Sequence, residues 1–452
     1  MDLSGVNSRA GRSQTKSKRP SRRQVLSFTA LSGLALWACT EGPSEIGLEK
    51  RRATGGQQPK DLPFTAVVSS TLSTAGAQGH LQLPLDLAVT RTRSLVPVTA
   101  RETRLIEIWR SEHWTTNFHI KKVLLSEIHK VGTTRDAIEP IDKPRFWITR
   151  TARTFIDGRE PVIAFAANGD VRAYPLQVLL WHEVVNDVVG GEPVAVTYCP
   201  RTNTWRVFDR RVVNATVRFG VSGNVRNGGL LMWDTLTQTW WQQLNGEAVV
   251  GDLTGIRLET RPSLLVSYSD FQRAFPDGRV LSTEWPVVHG SYGTTPYPGY
   301  DSRQIPSMYF SGRLDARLPA TRRVLAMAVD GDALAVDLDR LVQQRTINIS
   351  LGDRPVVAVW FPGTVSVLDQ TEIRHSRDTG TAMAYERKVG ERTLSFDATA
   401  EGFKDRETGS TWNLWGHGIR GPMQGARLSP MVHSNSLWFS WVGTYPETRL
   451  LT

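Results

Sequence analysis

The sequence predicts a mainly β protein of the α+β class, built from two tandem homologous domains with many strands and few short helices. The first observation is a series of short β-branched or aromatic runs, such as PVIAFAA, EPVAVTY and TVRFGVS, bounded by Gly, Asn, Asp or Pro. The second is an internal repeat with a period of about 160 residues. The third is the pair Gly190-Gly191 between two alternating runs, which is a strong hairpin signal.

The repeat is visible as two ungapped alignments with the same offset. VIAFAANGDVRAYPLQVLL (162–180) aligns with VLAMAVDGDALAVDLDRLV (324–342), and GEPVAVTYCP (191–200) aligns with DRPVVAVWFP (353–362). A unit of this length predicts two homologous domains related by a pseudo-two-fold axis rather than a solenoid. We place the first copy at 114–290 and the second, degenerate copy at 291–452. Residues 63–113 form an N-terminal segment whose structure the pattern leaves open.

The N-terminus has the features of a bacterial export signal over residues 1–38. Arg22-Arg23 precede an apolar run that is typical of twin-arginine export, and the run ends in LWAC. The ending resembles a lipobox, in which Cys39 would be lipidated, and residues 39–62 read as a flexible tether. The alternative is an uncleaved anchor helix. We therefore expect a protein anchored by lipid to a bacterial membrane, on its periplasmic or extracellular face.

The charge distribution argues against a nucleic-acid partner. Of the net charge of +10, +6 lies in residues 1–38, and the rest of the chain shows no basic stripe with interleaved aromatic residues. The glycine-rich VSGNVRNGG (221–229) lacks both P-loop and dinucleotide-binding spacing. The expected partner is thus the membrane, through the lipid anchor, while protein partners stay open.

The predicted hairpin places a histidine opposite the second cysteine of the chain. If Cys39 carries lipid, Cys199 is a lone thiol without an intramolecular disulfide partner. The Gly190-Gly191 turn pairs Val185 with Val196, and the same register pairs His182 with Cys199. Directly opposed residues have Cβ atoms roughly 4.5–5.5 Å apart. The neighbouring Glu183 is expected on the other face of the strand.

A thiol beside an imidazole has definite chemical uses. The imidazole can take the thiol proton and lower the pKa of Cys199, so that the thiolate acts as a nucleophile, a redox centre or a soft transition-metal ligand. The candidate catalytic and metal-binding pair is therefore Cys199 and His182. The alternative is that Cys199 is a small core residue and that His182 satisfies a backbone group. Asp234, Trp241 and their counterparts in the second copy favour turn and core roles instead.

Three segments resemble the family called domain of unknown function 3179. They are YPLQVLLWHEVVNDVVGGEPVAVTYCPRTNT (174–204), FGVSGNVRNGGLLMWD (219–234) and TWWQQLNGEAVVGDLTGIRL (239–258). The resemblance extends from about residue 114 to the C-terminus and is specific in the first copy. Family members typically carry Cys-Pro-x-Cys, which implies thiol redox chemistry, but Thr202 stands here at the second cysteine position.

The resemblance and the register together give two functional hypotheses. Asn203 and Thr204 fit the family pattern, and with Glu183 they are candidate cofactor-binding residues. The leading hypothesis is an uncharacterised, lipid-anchored cell-envelope protein with thiol redox or metal binding at Cys199 and His182. The alternative is a non-catalytic binding or scaffold lipoprotein, in which Thr202 and the second copy record lost chemistry. Whether the protein is an enzyme stays open.

Overall fold

The computed structural model describes residues 96–132, 134–286 and 291–452, all within the compact unit Gln58–Thr452. The predicted export signal with Cys39, the tether and residues 63–95 lie outside the described residues. Within the part that is described, no helix is both long and apolar enough to cross a membrane.

The chain up to residue 152, which includes the start of the first copy, contributes a capped helix and the first short strands. Thr99 forms a capping box with Glu102, in which each side chain accepts a hydrogen bond from the backbone N–H of the other residue. The elements are helix α1 (Ala100–Ser111), a 3-10 turn (Leu125–Glu127), strands β1 (Ile128–Lys130) and β2 (Phe146–Ile148), and helix α2 (Thr149–Ala152).

The first copy is mostly strands with two short helices. They are β3 (Pro161–Ala167), β4 (Asp170–Pro175), α3 (Leu176–His182), β5 (Val184–Val189), β6 (Glu192–Cys199), β7 (Thr204–Asp209), β8 (Arg211–Val212), β9 (Ala215–Thr216), β10 (Phe219–Arg226), β11 (Gly229–Asp234), β12 (Trp240–Gln242), β13 (Glu247–Val250), β14 (Thr260–Arg261), β15 (Leu264–Ser267), α4 (Tyr268–Ala274) and β16 (Arg279–Leu281).

The second copy follows a 3-10 turn at Tyr300–Ser302 and has a similar order of elements. They are β17 (Arg323–Val329), β18 (Asp332–Asp337), α5 (Leu338–Gln344), β19 (Thr346–Leu351), β20 (Arg354–Phe361), a 3-10 turn (Ile373–His375), β21 (Thr381–Glu386), β22 (Lys388–Val389), β23 (Arg392–Thr393), β24 (Phe396–Ala398), β25 (Phe403–Asp405), β26 (Thr411–Trp412), β27 (Gly418–Arg420), β28 (Ser434–Leu437), α6 (Trp438–Thr444) and β29 (Arg449–Leu451). The predicted mainly β class is confirmed.

The strands form several small sheets, and corresponding sheets recur in the two copies. The larger ones have the orders β1-β10-β11-β12-β13, β14-β7-β6-β5 and β15-β3-β4-β16-β2 in the first copy. The second copy has β28-β17-β18-β29, β19-β20-β21 and β24-β25-β26-β27. Pairing between named strands is antiparallel except that β16 runs parallel to β4 and β29 runs parallel to β18. In each copy, the last strand thus pairs in parallel with the second strand of the aligned repeat.

The two copies share their hydrophobic core. Ile163 and Val196 of the first copy pack in one cluster with Val365 and Leu437 of the second. Another cluster joins residues of β3 and β15 to residues of β20 and β21. The core therefore runs across the boundary between the copies, and a division into two separate domains near residue 290 stays a prediction.

The hairpin register predicted from Gly190-Gly191 is confirmed within the strands. Val185 lies opposite Val196, and Val189 lies opposite Glu192. Both glycines have positive φ, 54° and 86°, which is the condition for the two-residue turn that matches strand twist. The register holds up to the pair Val184–Thr197, where β5 begins.

The Asp and Trp that recur in both copies have the structural roles expected of them. The Asp234 carboxylate accepts hydrogen bonds from the Thr237 N–H and from the indole N–H of buried Trp241. In the second copy Asp405 accepts from Thr408 and from Trp412 in the same way. These repeated contacts close a turn onto the core in each copy.

Candidate functional site

Cys199 lies at the end of β6 in the interior of the first copy. Its side chain is 1% exposed and packs in a cluster with Val184, Phe208 and Met232. The Sγ atom accepts a hydrogen bond from the Leu230 N–H at 3.4 Å. The thiol therefore faces the space between the hairpin and the sheet that contains β11.

His182 does not pair with Cys199, so the predicted Cys–His pair is wrong. His182 is the last residue of α3, and its Nδ1 lies 2.7 Å from the Glu139 carbonyl oxygen. Its Nε2 lies 2.8 Å from the Tyr292 hydroxyl. Because a carbonyl can only accept, Nδ1 carries a proton, and both ring nitrogens are used in contacts away from the thiol. Burial lowers the pKa of His182 and favours the neutral ring.

Glu183 takes the place predicted for the histidine, and its expected position on the opposite face is also wrong. The residue joins α3 to β5 with φ 54° and ψ −30°. Its carbonyl oxygen still accepts from the Tyr198 N–H at 2.9 Å, so the backbone keeps the hairpin register. The positive φ breaks the alternation of an extended strand, and the Glu183 side chain lines the same cavity as Cys199.

The cavity around the thiol is small and enclosed by both hairpin and sheet. Glu183, Cys199, Arg201 and Leu230 line it, together with residues of β10 and of the loop before β2. Its volume is about 20 Å³, which is enough space for one water-sized occupant. Glu183 is 6% exposed, and no described residue forms a hydrogen bond or close ion pair with its carboxylate. An unpartnered buried carboxyl group and a thiol therefore share one cavity.

Arg201 contributes a positive charge held by tyrosine rings. Its guanidinium carbon lies 5.6 Å from the Tyr297 ring centroid and 5.2 Å from that of Tyr309, within cation–π range. The Tyr300 hydroxyl donates to the Arg201 carbonyl oxygen at 3.0 Å. Among the described residues none accepts a hydrogen bond from the guanidinium. The group is thus positioned beside the cavity with its donors available.

The charges of Glu183 and Arg201 and the burial of the cavity shift the pKa values of Glu183 and Cys199. Burial raises the pKa of Glu183 to about 7, with the charge of Arg201 acting in the opposite direction. Burial, then the charge of Glu183, raises the pKa of Cys199, and the Thr202 hydroxyl and the Leu230 N–H only partly offset this. The thiol is therefore protonated at neutral pH, which is opposite to the lowered pKa expected beside an imidazole.

The polar residues after Cys199 form hydrogen bonds with other parts of the protein. The Thr204 hydroxyl donates to the Gln243 side-chain oxygen at 2.8 Å and lies 2.8 Å from the Thr202 hydroxyl. Asn203 donates to the Asn435 carbonyl oxygen of β28 at 2.7 Å and accepts from the Tyr198 hydroxyl. The candidate cofactor residues Asn203 and Thr204 thus have protein partners, and Thr202 fills the second cysteine position with a buried hydroxyl.

Arg201 and the tyrosines around it were missed at the sequence level. Arg201 is adjacent to the Cys-Pro dipeptide but belongs to no recognised pattern. Tyr297 and Tyr300 lie in YGTTPYPGY (292–300), between the two aligned copies. The three tyrosines within these nine residues are the local sequence feature that could have indicated a role for this segment.

Cys199 and His182 were the predicted metal ligands, and His182 makes its contacts elsewhere. Within 96–132, 134–286 and 291–452, no group of three or more His, Cys, Asp and Glu residues is arranged to hold a metal ion. At the thiol, the nearby groups are one carboxyl, Glu183, and one cation, Arg201.

Comparisons with known proteins give one family. The family described as "Protein of unknown function (DUF3179)" matches residues 135–448. No curated protein and no solved structure matches the chain.

Proposed function

The chain belongs to the DUF3179 family, and from that premise we propose a monothiol redox site at Cys199 on an exported, lipid-anchored cell-envelope protein. In this site Glu183 and Arg201 take the part predicted for His182. The observation that carries the proposal is the shared cavity of thiol and carboxyl group. A pKa of about 7 suits Glu183 to accept a proton near neutral pH.

The oxidant in this proposal is hydrogen peroxide, because a cavity of about 20 Å³ excludes larger oxidants and would need to widen only slightly to admit this one. Ionised Glu183 takes the thiol proton, and the sulfur of Cys199 attacks one peroxide oxygen. The O–O bond breaks, Arg201 stabilises the negative charge on the leaving oxygen, and the proton passes from Glu183 to that oxygen. The products are a sulfenic acid and water, with sulfur oxidised by two electrons and peroxide reduced by two.

The return step needs thiols from outside this site. Because Thr202 replaces the second cysteine, the sulfenic acid of Cys199 has no thiol in the same turn with which to form a disulfide. Two equivalents of an external low-molecular-weight thiol restore Cys199 and leave as a disulfide, with release of water. The proposed cycle is therefore that of a single-cysteine site.

Non-catalytic binding is the second candidate function. The observation that favours it is the burial of Cys199, whose raised pKa keeps the thiol protonated and of low nucleophilicity. On this alternative the cavity is structural, and ligands bind elsewhere on the surface.

Peroxide oxidation of Cys199 separates the two candidates. The full chain is treated with hydrogen peroxide, and sulfenic acid at Cys199 is trapped after denaturation and measured by mass spectrometry. We expect the rate to rise with pH around 7 and to fall at least tenfold in Glu183→Gln, since general base catalysis contributes about 10²–10⁴-fold. Exposed Glu391→Gln is the control and is expected to match the wild type. Oxidation no faster than that of free cysteine would reject the redox proposal.

The membrane anchor is tested independently of the thiol site. The lipobox at LWAC predicts that labelled lipid is incorporated through Cys39. We expect Cys39→Ala to abolish incorporation and Cys199→Ala to leave it unchanged. Label retained in Cys39→Ala would refute the anchor.

A further inference from the structure

Arg206 on β7 is a buried cation without an acidic partner. The residue is 6% exposed, and its Nε donates to the Leu244 carbonyl oxygen at 2.9 Å. Its Nη1 donates to the carbonyl oxygens of Trp205 and His433, both at 2.9 Å. All three acceptors are neutral, and among the described residues no carboxylate forms an ion pair with Arg206. The two N–H groups of Nη2 donate to no acceptor among the described residues.

The second copy shows that the fold does not require a cation at this position. Strand β7 of the first copy corresponds to β21 of the second, because Thr204 lies opposite Cys199 and Thr381 lies opposite Phe361. Two residues further along these strands, Arg206 corresponds to Met383. Met383 is fully buried in an apolar cluster of β3, β15 and β20 residues. A buried charge is costly unless it is paired, whereas methionine fills the equivalent site at no such cost. Packing alone therefore does not account for a guanidinium at this position.

Arg206 lines a groove between the two copies. The groove has a volume of about 530 Å³ and is bounded by residues 244–262 on one side and by 328–330, 429–432 and 441–445 on the other. Trp441 and Tyr445 form one wall, with ring centroids 4.5 Å apart. This volume lies in the range of small-molecule sites, about 300–1,000 Å³. A free donor group, an aromatic wall and a suitable volume thus occur together.

Arg206 differs from the other arginines that line the groove, because it has no carboxylate within ion-pair distance among the described residues. Arg257 at the rim lies 3.6 Å from Glu247, and Arg354 lies 3.8 Å from Asp330. Both of these arginines therefore have an acidic neighbour, while Arg206 has none. Glu386 also lines the groove and already places one negative charge there, which favours a ligand with a single negative charge, a monocarboxylate, over a phosphate that carries about two.

We propose that the Arg206 groove binds a small organic monocarboxylate with an aromatic or apolar body. The carboxylate accepts hydrogen bonds from Nη2 of Arg206, and the body packs against Trp441 and Tyr445. This site uses neither Cys199 nor Glu183, so it is a second site, independent of the proposed redox function.

Calorimetric titration of the full chain with 3-phenylpropionate and its neutral analogue 3-phenylpropanamide tests the proposal. We expect the acid to bind and the amide to bind at least tenfold more weakly. Arg206→Met, which installs the residue of the second copy, is expected to weaken binding of the acid at least tenfold. Arg420→Gln removes an exposed, ion-paired arginine and is expected to change neither affinity.

The proposal is overturned if wild-type protein binds acid and amide equally, or binds no acid at millimolar concentration. Retained acid binding in folded Arg206→Met would overturn it too. If Arg206→Met does not fold, the comparison of acid with amide in the wild type decides. Displacement of the acid by an equimolar amount of inorganic phosphate would reject the assignment to carboxylates.

Discussion

Replacing Asp301 with alanine is expected to lower the free energy of unfolding by about 3–5 kcal/mol. Asp301 is buried in the segment that carries Tyr297 and Tyr300, and its carboxylate pairs with Arg323 of β17. It also accepts a hydrogen bond from the Ser366 hydroxyl at 2.8 Å. Removing the carboxylate leaves Arg323, whose side chain is only 10% exposed, as a buried charge without its closest counter-ion. Urea denaturation monitored by tryptophan fluorescence measures the loss.

The neighbouring arginine provides a matched control. Arg322 pairs with Asp339, whose side chain is 62% exposed. An exposed ion pair contributes about 0–1 kcal/mol, so Asp339→Ala is expected to change the unfolding midpoint little. Equal losses in Asp301→Ala and Asp339→Ala would contradict the assignment of Asp301 as the buried link between the tyrosine segment and β17.

Glu183→Gln is expected to stabilise the protein at alkaline pH by up to about 3 kcal/mol. The folded-state pKa of Glu183 is about 7, above the ordinary value of 4.5. The folded state therefore binds more protons than the unfolded state between these values, and wild-type stability falls as pH rises through that window. Each pKa unit corresponds to about 1.36 kcal/mol. Glutamine stays neutral, so the variant does not undergo this loss.

Unfolding curves at pH 4.5 and pH 8.5 give the sign of the effect. The gain of Glu183→Gln over the wild type should be near zero at the lower pH and largest at the higher pH. Half-buried His417 and buried His433, with pKa values near 4, titrate alike in both proteins, so their contributions cancel in the difference. Exposed Glu391→Gln, measured in parallel, is the control for a glutamate-to-glutamine change away from the cavity. A gain for Glu183→Gln that is the same at both pH values would contradict a buried, protonated carboxyl group.

Local patterns were sufficient for the strands and for the hairpin. The positions of β5 and β6 follow from alternation of apolar residues, and Gly190-Gly191 fixes their register, because both effects act over a few neighbouring residues. The repeat likewise predicted corresponding elements in both copies. The hydrophobic core shared by the two copies could not be predicted from local patterns, because it depends on how distant segments pack.

The candidate site was predicted only in part, for a physical reason that centres on one residue. Alternation placed His182 opposite Cys199 on the assumption of an extended strand up to residue 182. The chain instead leaves α3 through a left-handed conformation at Glu183, which non-glycine residues seldom adopt. The change moves Glu183 into the cavity and directs His182 to Tyr292. Arg201 is close to Cys199 in the sequence, but Tyr297 and Tyr309 reach it only through tertiary contacts with a distant segment.

The central claim is that Cys199 works with Glu183 and not with His182. The most direct test is the rate of peroxide oxidation of Cys199 in Glu183→Gln compared with His182→Gln, each with a confirmed native circular dichroism spectrum. The structure predicts at least a tenfold loss for Glu183→Gln and a rate within about twofold of wild type for His182→Gln. The reverse order, with the large loss in His182→Gln, would contradict it.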